Sequence, residues 1–414
     1  MQRYSHNGSS RRACDREVPV QLRFPPLCAA IVLVFSATFA QAIDVRTAVL
    51  RVDYQTQLPI SRFDYIPEDV GFAGARLADE DNSTTGSFLG HTYKTETRAA
   101  TPEDAEAALR ELLDQGIRLV VVLADRDDLL RLTDQAAQSD ALVFNAAAPD
   151  TDLRSDDCRA NLLHTALSYG QMADAVAQFA LWKKWPRWLL VAGSNAGDRA
   201  LADAYHHAAR KFGAKIVEER VFEDTGGARR TDSGHVLVQR QLPVFMQDTK
   251  AHDVVMAADA TDYFAAYLPY HLWTPRPVMG SAGLRPAQMH GGHEAYGATQ
   301  LQSRFEKLAG RYIRDADYNT WMALRAVGEA VTRAGTASAE GVRAYLLSED
   351  FELASFKGQG VSFRPWNGQM RQQVLLYDDR VTVSVSPQDG FLHQNSPQDT
   401  LGLDEPESNC TAFD

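Results

Sequence analysis

Residues 116–154 read GIRLVVVLADRDDLLRLTDQAAQSDALVFNAAAPDTDLR. The apolar run 117–124 stops abruptly at Asp125-Arg126-Asp127-Asp128. A helical stretch follows, then a second apolar run, 141–144, and the small residues Asn145-Ala146-Ala147-Ala148-Pro149. A continuous Val/Leu run reads as a strand buried on both faces, as in a parallel sheet. Two such strands joined by a helix make a βαβ unit, and ligands of open α/β sheets sit beyond the carboxyl ends of the strands. Those ends are Asp125-Arg126-Asp127 and Asn145-Ala146-Ala147.

Working outward, the same alternation of strand and helix repeats in two blocks, 43–165 and 166–295. In the first block, 44–52 reads as a strand and 54–69 as a loop. Residues 70–82 read as a helix that Ser83-Thr84-Thr85-Gly86 stops, and 91–99 as an exposed or edge strand. Thr101 is placed to cap a helix over 102–115, with Pro102 at its first position and Gly116 at its end. Residues 162–168 read as a strand crossing to the second block. There, helices over 170–182, 198–212 and 238–249 alternate with strands over 187–192, 214–222, 253–258 and 277–280, and 224–234 is a polar loop. Residues 301–334 form one or two helices, 341–348 another, and 372–377 with 380–385 a hairpin across Asp378-Asp379. The expected fold class is α/β, two lobes, each a parallel sheet with helices on both faces. Residues 296–345 would return to the first lobe, and 346–414 would supply a second-lobe hairpin and a C-terminal tail.

The 414 residues carry a net charge of -12. Residues 1–42 hold five basic and two acidic side chains, so the remainder has 37 basic and 52 acidic, a net of -15. Such a surface disfavours nucleic acid and anionic membranes. Residues 1–42 read as a signal peptide: an Arg-containing start, the apolar stretch 27–35, and Ala40-Gln41-Ala42 as a small-x-small cleavage site. Cys14 and Cys28 fall within it. Cys158 and Cys410 remain, and a pair of cysteines in an exported chain points to one disulfide tying the tail to the first lobe. No P-loop, G-x-S-x-G elbow or HExxH is present, so neither an enzyme nor a cofactor is expected.

Several stretches resemble one family. Gly74-Ala75-Arg76-Leu77-Ala78-Asp79-Glu80-Asp81-Asn82, with Gly86 and Gly90, looks like the first helix of type I periplasmic binding proteins of the branched-chain amino-acid class. Residues 142–149 resemble their second site loop. His164-Thr165, followed by Gln171-Met172-Ala173-Asp174-Ala175, resembles their crossover. Phe363-Arg364-Pro365-Trp366-Asn367-Gly368-Gln369 resembles their late Phe-x-x-x-Asn-Gly turn. The segments 157–161 and 404–410 are similar to a subgroup associated with PQQ-dependent alcohol dehydrogenase systems, with related components in lanthanide uptake. The resemblance implies two lobes joined by three crossovers, closing on a ligand, and delivery of that solute to the permease subunits of an ABC transporter. An alternative is a periplasmic sensor or accessory protein of an alcohol dehydrogenase system.

Relatives that bind amino acids hold the carboxylate with a Ser/Thr pair and the ammonium with an acid. Here the matching positions carry Ala146, Ala147 and Ala282, which argues against an ordinary amino-acid ligand. Asp125 and Arg126 are candidates for ligand contact, with Asp127 or Asp128 capping the next helix. Asn145 and Ala147 belong to the second strand end. Asp198 either faces the cleft or caps its helix. Asp259 and Ser281 follow second-lobe strands, and Tyr65 is either an aromatic over the ligand or a surface loop residue. Asp150-x-Asp152-x-x-x-Asp156-Asp157 offers hard oxygen donors for Ca²⁺ or a lanthanide but reads better as an exposed acidic loop. His290-Gly291-Gly292-His293 offers a pair of transition-metal ligands but reads better as a turn with two surface histidines.

Overall fold

The computed structural model describes residues 42–55, 65–224 and 232–413, with backbone only for 232–236. Residues 1–41, and with them nearly all of the signal-peptide reading, lie outside the described residues, as do 56–64 of the first loop and 225–231 of the polar loop.

The first lobe comprises β1 (Asp44–Val52), α1 (Phe72–Gly86), β2 (Thr92–Ala100), α2 (Ala105–Asp114), β3 (Leu119–Leu123), α3 (Arg126–Ala137), β4 (Leu142–Asn145) and β5 (Leu162–His164). Its strands run parallel in the order β2-β1-β3-β4-β5. All five residues of β3 are buried, because successive side chains feed two cores. Leu119, Val121 and Leu123 pack on one face, and Val120 and Val122 on the other.

The second lobe repeats the plan with α4 (Tyr169–Trp182), β6 (Arg187–Gly193), α5 (Ala196–Phe212), β7 (Lys215–Phe222), α6 (Asp232–Phe245), β8 (Val254–Ala258) and β9 (Val278–Gly280). These strands are parallel in the order β7-β6-β8-β9. Trp188 and Leu190 of β6 face one core, Leu189 and Val191 the other.

After β10 (Arg285–Ala287) the chain returns to the first lobe as α7 (Ala298–Ala309), α8 (Asp315–Ala334) and α9 (Ala339–Leu346). The remaining strands are β11 (Leu353–Ala354), β12 (Gly360–Phe363), β13 (Met370–Arg371), β14 (Val374–Tyr377) and β15 (Thr382–Ser386). β14 and β15 form the expected antiparallel hairpin, with β10 on the other edge of β14. Glycine decides one packing contact: a Cβ at Gly74 would stand 2.0 Å from the Asp317 carbonyl, so α1 and α8 cross nearly backbone to backbone.

Several element ends differ from the pattern-based reading, each for a local reason. α1 continues through Ser83-Thr84-Thr85, where the Thr84 hydroxyl donates back to the Glu80 carbonyl and leaves the helical bonds intact. α2 starts at Ala105 because Thr101 and Asp104 close a turn over 102–104. β5 ends at His164, since Ser168 is the N-cap of α4 and forms a reciprocal capping box with Gln171. Residues 301–334 are two helices, with α8 opening after Arg314.

Cys158 and Cys410 are bonded, with an S–S distance of 2.06 Å. The tail is not loose before that anchor. The Arg364 guanidinium, fully buried, donates to the carbonyls of Gln398, Leu401 and Leu403 and pairs with Asp399 at 2.9 Å.

Candidate ligand-binding cleft

Strand ends from both lobes converge on one cavity of about 930 Å³. From the first lobe come Tyr54 after β1, Asp125 to Asp128 after β3, and Pro149 and Asp150 after β4. From the second come Tyr169 at the start of α4, Ala196 and Gly197 after β6, and Ala260 and Thr261 after β8. The arrangement follows from topology: parallel strands all end on the same side, so two lobes facing each other present two rows of loops.

Of the candidate residues, Asp125 and Arg126 line this cavity. Asp125 occupies the N-cap position of α3, where Asp127 or Asp128 had been expected to act, but its side chain makes no capping bond. Its carboxyl is held above the ordinary value by burial, reinforced by Asp128, Asp150 and Asp127. Arg126 is fully engaged, pairing with Asp127 at 2.5 Å, Asp152 at 2.8 Å and Asp157. The acidic loop 150–157 is therefore partly neutralised by an arginine.

The other candidates have structural work. Asn145 is fully buried; its amide accepts the N–H of Ala147 and Ala148 and donates to the Ala148 carbonyl, which sets the loop. Ala147 is exposed, and its amide is spent on Asn145. Asp198 closes a capping box with Asn195 at the start of α5 and accepts the Thr261 amide, so of its two readings the structure shows the cap. Asp259 folds back on its own loop, accepting the amides of Tyr263, Phe264 and Ala265 at 2.8, 2.7 and 2.7 Å. The Ser281 hydroxyl accepts the Asp259 amide at 2.9 Å. Tyr65 is 62% exposed; among the described residues it offers its carbonyl to Arg314 and is not part of the cavity wall.

Tyr54, Tyr169, Asp150 and Thr261 were not anticipated as lining residues. The Tyr54 hydroxyl donates to Asp128 at 2.6 Å and accepts the Asp125 amide at 2.9 Å, fixing its ring beside the β3 end. Tyr169 is anchored by its amide to the Pro149 carbonyl at 2.7 Å. Its phenol is pushed up by burial and then by Asp150, Asp198 and Asp125. The only available signal for these residues was proximity to a strand end, which several other side chains share.

A second cavity of about 900 Å³ lies beside the connection between lobes and includes Arg285, His290, Gly291, Gly292, Tyr312, Arg314, Tyr377 and Arg380. The His290-to-His293 segment is a turn, closed by the His293 amide on the His290 carbonyl at 2.9 Å, but its histidines do not stand free on the surface. His293 is buried and His290 stacks on Tyr377 with ring centroids 4.1 Å apart.

Residues 70–241 match a family described as periplasmic binding protein. No curated protein matches the chain. Among solved structures, a branched-chain amino-acid ABC transporter periplasmic ligand-binding protein from Burkholderia xenovorans superposes with a TM-score of 0.69 at 16% identity, covering 89% of this chain and 100% of that one. This is the two-lobed fold of the periplasmic binding proteins. An ABC transporter substrate-binding protein from Desulfitobacterium hafniense in complex with Leu gives a TM-score of 0.62 at 13% identity, covering 82% and 99%. A solute-binding protein of an ABC transporter from R. palustris in complex with 4-hydroxybenzoate gives 0.61 at 12%, covering 83% and 96%.

Proposed function

We propose that this chain is a periplasmic substrate-binding component of an ABC transporter and not an enzyme. It would hold a small solute between its lobes and present it to permease subunits. The observation that carries this reading is the cavity walled by strand ends of both parallel sheets. A solute that touches both walls favours the closed arrangement of the lobes over the open one, and closure is the whole of the activity. Asp125, with Tyr54, Asp150 and Tyr169, is assigned to ligand contact. Asn145, Asp198, Asp259 and Ser281 shape the loops that carry those groups.

The structural neighbours were solved with Leu and with 4-hydroxybenzoate, both carboxylates. Here the hydroxyl pair that would hold a carboxylate is replaced by Ala146 and Ala147, and a different solute follows. The similarity of 157–161 and 404–410 to binding proteins of PQQ-dependent alcohol dehydrogenase systems directs the search to compounds met in alcohol oxidation.

The test is a thermal-shift screen of the purified protein against alcohols, aldehydes, amines, organic acids, PQQ and lanthanide ions, followed by small-angle scattering. A true ligand present at a hundredfold excess over Kd adds about 2.7 kcal/mol of stability. It also shrinks the radius of gyration, and Asp125→Ala removes both effects. Absence of any saturable stabilisation, together with a copurifying periplasmic protein, would instead favour a sensor or accessory role.

A further inference from the structure

We infer that the cleft takes a cationic solute, an amine or alkylammonium compound, in preference to a carboxylate. This rests on the reading of the cavity as the ligand site and names the class of ligand. The groups that would receive an anion are already occupied. Arg126 is spread over Asp127, Asp152 and Asp157. Arg131 pairs with Asp128 and with Glu106 at 3.4 Å. The amino end of α5 is closed by Asn195 and Asp198, and that of α3 carries Asp127 and Asp128 in its first turn. Helix ends satisfied in this way hold little attraction for a further negative charge.

The unspent groups are of the opposite kind. Asp125 is exposed to the cavity and makes neither an ion pair nor a side-chain hydrogen bond among the described residues. Asp150, part-buried on the same wall, likewise has no ion-pair partner there. Aromatic rings complete the chemistry independently of the acids: Tyr54 from the first lobe and Tyr169 from the second both line the cavity. Carboxylates beside tyrosine faces are the surroundings that bind ammonium groups. Since Tyr169 comes from the lobe opposite Asp125, one cation between them would engage both walls and draw the lobes together.

Matched probes test this by isothermal titration: 1,4-diaminobutane against succinate, and tetramethylammonium against pivalate, with leucine and 4-hydroxybenzoate as comparators. Ammonium probes are expected to bind saturably, with affinity falling as salt rises, while their carboxylate counterparts give no heat. Asp125→Asn should weaken the ammonium probes at least about tenfold, the loss of one charge-assisted contact, and Asp125→Glu should largely retain them. If Asp125→Asn does not fold, Asp150→Asn carries the same expectation. Binding of the carboxylates, or of neutral solutes alone, would overturn the ligand class while leaving the binding-protein reading intact. Failure of every solute in the wider screen would bring down that reading itself.

Discussion

Asp125 and Asp259 follow corresponding strands of the two lobes, β3 and β8, and end in opposite circumstances. Asp259 is 3% exposed and receives three backbone amides from 263–265. Asp125 stands open at its helix end without a capping bond. Replacing Asp259 by Ala orphans three buried amides and should cost about 3 kcal/mol of stability in chemical denaturation. Asp125→Ala should change stability by less than about 0.5 kcal/mol while abolishing ligand-induced stabilisation. Equal losses of stability for the two variants would sink this assignment. A sequence shows both as acids after an apolar run. What separates them is the path of the following loop: 260–265 curls back over Asp259, whereas after Asp125 the chain enters α3 directly. That choice leaves no periodic trace, and the same holds for Asn145, whose side chain is held by Ala147, Ala148 and the more distant His164.

Elements were far more legible than side chains, because burial on two faces forces unbroken Val/Leu runs such as 119–123 and 254–258. The less legible ends are those that a side chain outside the pattern decides, as Ser168 and Gln171 do at the start of α4. The tail is the opposite case: without periodicity, it is held by point contacts. Its disulfide spans 252 residues of sequence, and Ser408 donates to the Arg154 carbonyl at 2.8 Å while Asn409 donates to Ser155 at 2.9 Å. Cys410→Ser should lower stability by about 2–5 kcal/mol, and the variant's unfolding midpoint should no longer respond to reductant. Arg364 grips the carbonyls of 398–403 without help from the disulfide, so the loosening should be local. Hydrogen exchange is expected to rise in 405–413 and 155–160 and to stay slow in 398–403. Uniform acceleration through the tail would show that the disulfide, not Arg364, docks it.

At the scale of the whole molecule, the lobes are coupled where three connections meet. The Thr165 carbonyl, between β5 and α4, accepts Gln288 Nε2 at 2.6 Å and Gln372 Nε2 at 2.8 Å. Gln288 follows β10 and Gln372 precedes β14, so one carbonyl joins all three crossings. Lys357, fully buried, extends the cluster: its ammonium donates to Gln372 Oε1 at 2.9 Å and to the Gln373 carbonyl at 2.7 Å. Burial pulls its pKa down to about 7, with Asp315 opposing. The unfolded lysine titrates near its ordinary value of about 10.4. Between those two values the unfolded chain therefore binds a proton that the folded chain has released, so this group makes stability rise with pH. Below pH 7 both states are protonated and its contribution is flat. Lys357→Met removes the titration, so wild-type stability minus variant stability should climb by on the order of 1 kcal/mol per pH unit from pH 7 to pH 9. Parallel stability curves for the two proteins over that window would mean that the lysine keeps its proton at the crossing. In that case the joint between the lobes would be held by a full positive charge rather than by a neutral amine bridging two carbonyl oxygens.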